Sequence, residues 1–527
     1  MNMNAIDAGS ARAGFLSNAW SIRLVQLAAA FIVAFAIVLL LTPFGAAVSP
    51  DSILYLDIAT HIHNGLGVAS TDYALAHAGA NLAVPNTIWP PLYPAMLALG
   101  TQPGVASAAI WSALLLAATL FFTQRILCRF LSWPMATLAA LPLAIAVPML
   151  TIHTYAWSEQ LFIAILVALL FAAQHYLASA DRRSIALVAL LLVLAFYTRY
   201  IGLLFFPLLP LLYLLSGRPR RMLPTFVVAC IACGLAVAAL LLYNLQVSGS
   251  LTGTARRVAH TTLFEQLRNL VSALVPLFHS PGRTLLTAGA VLGSTIMLVY
   301  LLYDRRAPAS VERDSVARLA LGMAAYYVAC VVALRSVVAF DEIDVRLIGV
   351  VVPYLWIGCV ASIAGFEQRP ARAAPALLAA MVATALVANG YFALFEARAH
   401  WRTSGSPWFR INASSAYNNY NLPPVANQNR RFMAERTNAD SVLVADEPQV
   451  LRYTTGLAAF ALPTEFSADE LRKLASFPAR SYIVLTTEQR PAFEAALREH
   501  GARAPEVSVA GDTVLLHLPL ELGSSGN

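Results

Sequence analysis

Lysine is almost missing from this sequence: Lys473 is the only one among 527 residues, and arginine supplies the rest of the positive charge. Charge of either sign is scarce. Asp, Glu, Lys and Arg together make 12% of the chain, about half of what a soluble domain carries, which excludes an ordinary soluble fold. Cysteine is sparse as well. Cys128, Cys230, Cys233, Cys330 and Cys359 all lie within or at the end of apolar segments, and the polar C-terminal part has none. That distribution excludes a disulfide framework or a zinc site. Cys230 and Cys233 share a helix face but have no His or acid nearby, so they read as packing residues. No internal repeat of the kind that marks many secondary transporters is present, and no acid stands midway along an apolar run. The formal charge of +7 does not point to nucleic acid, because the arginines fall in short loops between apolar runs, where they act as a topology signal.

What the sequence has in quantity is apolar length. A membrane span needs about 20 apolar residues, and eleven stretches qualify, near 24–44, 105–127, 133–150, 158–178, 183–199, 200–216, 222–244, 284–303, 316–336, 345–366 and 373–395. The first is too long for a signal-peptide core and reads as a retained span. Alternate loops separate by charge. Arg125 and Arg129, Arg182 and Arg183, Arg218 with Arg220 and Arg221, Arg305 with Arg306 and Arg313, and Arg369 with Arg372 fall on one side, which the positive-inside rule makes cytoplasmic. The N-terminus is then inside and, with an odd number of spans, the C-terminal segment is outside. The outer loops are longer and carry Asp, Glu, His, Trp, Tyr and Pro, and long loops in compact domains are mostly functional.

From about residue 399 the composition becomes that of a soluble domain. Strands are expected at 441–445, 481–487 and 513–518, and amphipathic helices at 467–477 and 488–500. The expected organisation is therefore a transmembrane domain over 1–398, with its first outer loop at 45–104, and a small extracytoplasmic α/β domain over 399–527.

Candidate chemistry starts in that first outer loop, at DSILYLDIA (51–59). Ser49-Pro50-Asp51 reads as a helix start, so Asp51 is either a cap or a carboxylate at the water-lipid boundary. One helical turn brings Tyr55 over Asp51 and stacks Asp57 on His61 instead, so the two acids face different ways and any chemistry rests on one carboxylate. WPPLYP (89–94), which holds Tyr93, is a rigid interfacial element. Glu159, in SEQLF, either begins a helix or places an acid at the membrane surface. Arg199, in FYTRYIGL, sits between two apolar runs on the arginine-poor side. It either snorkels or works. For Arg335 and Arg346, local pairing with Asp341, Glu342 and Asp344 competes with an anion-binding role. Arg256, with Arg257, Arg268 and Arg283, runs against the positive-inside rule in an outer loop and could be drawn to an anion.

These residues together resemble the membrane glycosyltransferases of GT-C fold, in the family that includes protein O-mannosyltransferases and the lipid A aminoarabinose transferase. The family's Asp-Glu-x-x-Tyr-like motif after the first span is matched by Asp51 and Tyr55, with Ser52 at the second acid. The segments WPPLYP, SEQLF, TRYIGL, YNLQVSGSLTG and DVRLIGVVVP follow in the order seen in bacterial relatives, with Leu92 where Gly is usual and Tyr243 where Arg is usual. DEPQVLRYTTG in the outer domain looks similar too. The resemblance covers roughly residues 24–395.

What the resemblance implies is inverting transfer of a sugar from a polyprenyl-phosphate donor to an acceptor glycan, lipid or protein on the periplasmic face of a bacterial inner membrane, with no nucleic acid involved. Asp51 would be the general base. Arg199, Arg346 and Arg256 would hold the lipid phosphate, and Tyr55, Glu159, Tyr93 and His153 would contact substrate. A divalent cation is the one candidate cofactor, and Ser52 removes a charge that would help to hold it. Competing expectations are a transporter or flippase of lipid-linked saccharides, a noncatalytic scaffold, and a polymerase or ligase of lipid-linked glycans.

Overall fold

The computed structural model describes residues 4–42, 45–74, 83–100, 102–217, 220–253, 262–274, 311–338, 344–365, 378–387, 389–390, 433, 435–463, 468–477, 481–499, 506–510 and 513–518. The protein is a polytopic α-helical chain with a separate α/β domain. It divides into two compact units, each discontinuous in sequence. A helical unit comprises Met1–Gly45, Thr87–Tyr93 and Ala106–Ile411, and an α/β unit comprises Ala46–Asn86, Pro94–Val105 and Asn412–Asn527.

Among the described residues five helical stretches are long and apolar enough to cross a membrane: Trp20–Leu41, Val105–Leu127, Glu159–Ser179, Arg220–Ser248 and Val316–Val337. The run expected near 133–150 is instead broken into Trp133–Ala144 and Val147–Thr154, which meet at 65° and would make a sixth span if counted as one. Pro148 accounts for the break, since a proline has no N–H to give the preceding turn and its ring crowds that turn. The run expected at 284–303 lies outside the described residues, as do 373–377, 388 and 391–395 of the last run.

The helices that build the site are labelled as follows: α1 (Trp133–Ala144), α2 (Val147–Thr154), α3 (Glu159–Ser179), α4 (Arg182–Thr198), α5 (Leu208–Leu215), α6 (Val311–Val337), α7 (Val345–Gly349) and α8 (Val352–Gly365). In a bilayer helices gain little by hiding apolar surface, so close packing and interhelical hydrogen bonds hold them. The central helix α3 illustrates this. Phe162, Ile163, Leu166, Leu169 and Leu170 are buried, and Tyr354 of α8 donates its hydroxyl to the Leu166 carbonyl at 2.6 Å. On the other side of α8, Trp356 Nε1 donates to the Ala139 carbonyl of α1 at 2.6 Å. Helices α6 and α8 approach so closely at Gly358 that an added Cβ would lie 2.5 Å from Leu321 Cγ.

In the α/β unit the first outer loop folds as a helix and a hairpin. Ser49 caps the helix Pro50–His63, accepting from the Ser52 amide, with proline at the first position where its missing N–H is harmless. Strands β1 (Ala69–Thr71) and β2 (Ala83–Pro85) pair antiparallel. Asp57 ties helix to hairpin by accepting from the Thr71 amide at 2.7 Å and the Thr71 hydroxyl at 2.9 Å.

The C-terminal residues form a sheet of β3 (Val442–Ala445), β4 (Ala458–Ala461), β5 (Ser481–Thr486), β6 (Val507–Ala510) and β7 (Thr513–Leu518). Its order is β4-β3-β5-β7-β6, parallel at β4-β3-β5 and antiparallel at β5-β7 and β7-β6. Alternation along the strands sends Val444, Ile483, Leu485, Val514 and Leu516 to one face, covered by Leu471, Leu474, Phe493 and Leu497. The three central strands were legible in the sequence, whereas the edge strands β4 and β6 were not. The first loop joins this domain through the Ala461 amide, which donates to the Tyr73 carbonyl at 2.7 Å.

Candidate active site

Residues singled out in the sequence gather in two places, one in each unit. In the helical unit Glu159 opens α3 and is fully buried. Arg199 follows α4 in extended backbone, φ −149° and ψ 134°, before a 3-10 turn over Tyr200–Phe205. That reversal depends on Gly202, where a Cβ would lie 2.5 Å from the Ala195 carbonyl carbon and oxygen. The tight turn fixes the direction of Arg199, whose Nη1 sits 2.6 Å from Glu159 Oε1 and donates to Ser158 Oγ at 3.0 Å.

Arg346 arrives from α7. Asp344 caps that helix by accepting from the Leu347 amide at 3.1 Å, and Gly349 lets it press on α2, since a Cβ there would meet Ile152 Cδ1 at 2.6 Å. Arg346 Nε donates to Glu159 Oε1, and Nη2 reaches Glu159 Oε2 at 3.5 Å. The guanidinium lies over the Trp157 ring, 4.6 Å from its centroid, and Trp157 stacks on Tyr155 at 4.3 Å. Two guanidiniums therefore share one buried carboxylate. Both stay largely out of solvent, with side chains 15% and 12% exposed. Of the three local acids that the sequence offered to Arg346, Asp341 and Glu342 lie outside the described residues; among the described residues it also pairs at long range with Glu159.

His153 is buried, its Nδ1 set 3.3 Å from Ser112 Oγ, which in turn donates to the His153 carbonyl at 2.6 Å. Tyr93 is buried. Arg256 lies outside the described residues.

Asp51 belongs to the α/β unit, half-buried at the opening of its helix, with Tyr55 buried a turn later. That helix packs on the helix Pro448–Thr455, which follows β3. The loop between them carries Asp446 and Glu447 at the carboxyl end of a parallel strand, the usual edge for functional loops in such sheets. Burial first, then the negative charges of Asp446 and Asp51, push the Glu447 carboxyl above its ordinary range. Asp51 thus has an acidic neighbour from the other end of the chain. Glu447 stands in DEPQVLRYTTG, a segment that carries part of the resemblance, but it was not singled out as a residue of the site. Asp57 engages Thr71 and lies 3.6 Å from His61 Nδ1, a structural connection. Ser52 is bonded to Ser49, and among the described residues there is no group of three His, Cys, Asp or Glu side chains that could hold a metal ion.

The arrangement of helices is shared with ArnT from Cupriavidus metallidurans. The structure of that protein bound to undecaprenyl phosphate superposes with a TM-score of 0.55 at 13% identity, covering 94% of this chain and 97% of the other. The chain has the GT-C fold. Its apo counterpart gives a TM-score of 0.53 at 14% identity, covering 95% and 98% of the two chains. No family model matches the sequence, and no curated protein matches it. At this level of identity the GT-C fold is what the two proteins share, and the role of each residue has to be argued from its own surroundings.

Proposed function

We propose that the protein is an inverting glycosyltransferase that moves a sugar from a polyprenyl-phosphate donor to a hydroxyl or amine of an envelope glycan, lipid or protein on the periplasmic face of a bacterial inner membrane. The observation that carries this reading is the convergence of Arg199 and Arg346 on Glu159, in a fold shared with a protein crystallised with undecaprenyl phosphate. Guanidiniums are the side chains best matched to phosphate oxygens. Held by Glu159 and, for Arg346, by the Trp157 face, they are preorganised to stabilise charge as it develops on the departing lipid phosphate.

In the proposed reaction the acceptor oxygen or nitrogen attacks the anomeric carbon and the bond from that carbon to the phosphate oxygen breaks. Polyprenyl phosphate leaves with the bonding pair. Asp51 takes the acceptor proton as general base. A phosphate leaving group needs no general acid, so one carboxylate suffices where ordinary glycoside hydrolysis uses two. In the same reading Arg256 adds to the phosphate contacts, while Tyr55, Tyr93 and His153 support the substrate from their buried positions.

The test is to incubate the purified protein with a panel of polyprenyl-phosphate sugars and follow free polyprenyl phosphate. Release that depends on an added acceptor is expected. Movement of labelled lipid between leaflets without consumption would instead make the protein a flippase.

A further inference from the structure

The helical unit contains a cavity of about 970 Å³ that the proposed reaction does not use. Its walls come from the end of α3 (Gln174, Leu177), from α5 (Leu208, Leu211) and from the first half of α6 (Leu319, Met323). The lining is mostly apolar, and Leu211 and Leu215 of α5 are 45% and 60% exposed. On a membrane protein such a wall opens sideways to lipid. The cavity is nevertheless not uniformly greasy. Gln174 is 2% exposed, and neither its amide nitrogen nor its amide oxygen has a hydrogen-bond partner among the described residues. Arg318 lines the same space.

A buried amide with both ends unmade is costly; its nitrogen and oxygen are sealed from solvent as they stand, so a ligand's polar group meets them when the side chain turns toward the cavity. Along α3 it stands about four turns from Glu159, roughly 22 Å at 1.5 Å per residue. The tail of a polyprenyl donor anchored at Glu159 is hydrocarbon and would leave that amide unsatisfied. A glycerophospholipid does better. Its phosphodiester is an acceptor for Arg318 and for the Gln174 amide N–H, a headgroup hydroxyl can donate to the Gln174 oxygen, and an acyl chain fits between the leucines of α5 and α6.

We propose that this cavity is a second lipid site, distinct from the Glu159 cluster, that binds an anionic glycerophospholipid of the phosphatidylglycerol type through Gln174 and Arg318. The inference does not rest on the transferase reading, since it concerns binding alone.

Gly322 provides a clean test because it lines the cavity and a Cβ placed there meets no atom within 4 Å. The full-length protein, purified in detergent, is titrated with phosphatidylglycerol or phosphatidylcholine and read by native mass spectrometry and thermal shift. Phosphatidylglycerol should be retained and should raise Tm more than phosphatidylcholine. Arg318→Ala and Gln174→Leu should each weaken that retention by about tenfold, the scale of one charge-assisted hydrogen bond. Gly322→Phe, which fills the cavity, should abolish it while Tm without lipid stays at or above that of the parent. Equal retention of the two lipids, retention indifferent to all three substitutions, or displacement of phosphatidylglycerol by polyprenyl phosphate would each overturn the proposal. None of those outcomes touches the release of polyprenyl phosphate that tests the transferase.

Discussion

Arg346 meets Glu159 across 187 residues of chain, donating to its carboxylate while lying on the Trp157 ring. The contact joins α7 to the first turn of α3, so the cation is positioned by two helices rather than by a loop. Arg199 reaches the same carboxylate from the end of α4. Glu159 is therefore the shared anchor of both guanidiniums, and its loss should be felt in stability and in donor binding together.

Replacing Glu159 by Ala leaves two largely buried cations without their common carboxylate. Breaking a buried ion pair costs about 3–5 kcal/mol, so a marked fall in Tm is expected, with weaker donor binding in whatever protein remains folded. Glu159→Gln keeps the shape and removes the charge. Unchanged Tm in both variants would mean that the cluster does not hold the helices.

Asp51→Asn keeps the helix, because Ser49 is the cap, and removes the proposed base. Transfer should fall by at least about 100-fold, in the range that general-base catalysis supplies, with KM for the donor little changed. Full activity in this variant would discard the assignment of Asp51 while leaving the fold and the donor class untouched.

Gly202→Ala pushes a methyl group into the Ala195 carbonyl. Overpacking of this kind costs about 1–3 kcal/mol, and the 3-10 turn must shift, carrying Arg199 with it. A lower Tm should accompany a raised donor KM. A drop in kcat alone, with Tm intact, would contradict the idea that this turn aims the arginine.

Glu447→Gln tests the acidic neighbourhood of Asp51. Because the folded-state pKa of Glu447 is raised, its favourable form is the protonated one. That stability is present below the ordinary value of 4.5 and is lost as pH rises through the folded-state pKa. The Gln variant mimics the protonated side chain. It should melt higher than the parent at neutral pH, and the difference should close as pH approaches 4.5. A constant offset across that range would point to packing instead of charge.

Much of this architecture can be seen in the one-dimensional chain, and the exceptions have physical causes. The runs at 105–127, 158–178 and 316–336 become helices within a few residues of those limits, because uninterrupted apolar length is a local property. Glu159 and Arg199 stood out since an ion next to apolar residues is conspicuous by itself. Their meeting was not legible. Nothing in the sequence says that α4 returns beside α3, and three acids near Arg346 in sequence suggested a nearer partner than Glu159. The 65° break after Ala144 was hidden for a related reason: prolines were visible there, but a proline inside an apolar run bends a helix by an amount that its neighbours decide. Glu447 needed knowledge of which strand edge faces Asp51, and that is set by sheet order.

The α/β unit that carries Asp51 is built from Ala46–Asn86, Pro94–Val105 and Asn412–Asn527, so its two halves are synthesised at different times. More than 300 residues separate them, a delay of roughly 15 to 60 s at about 5–20 residues per second. Throughout that interval the Tyr73 carbonyl lacks the Ala461 amide and the Asp51 helix lacks the helix that follows β3. The proposed base therefore reaches its final surroundings only when the last part of the chain folds, which would keep a half-made protein from acting on its substrates.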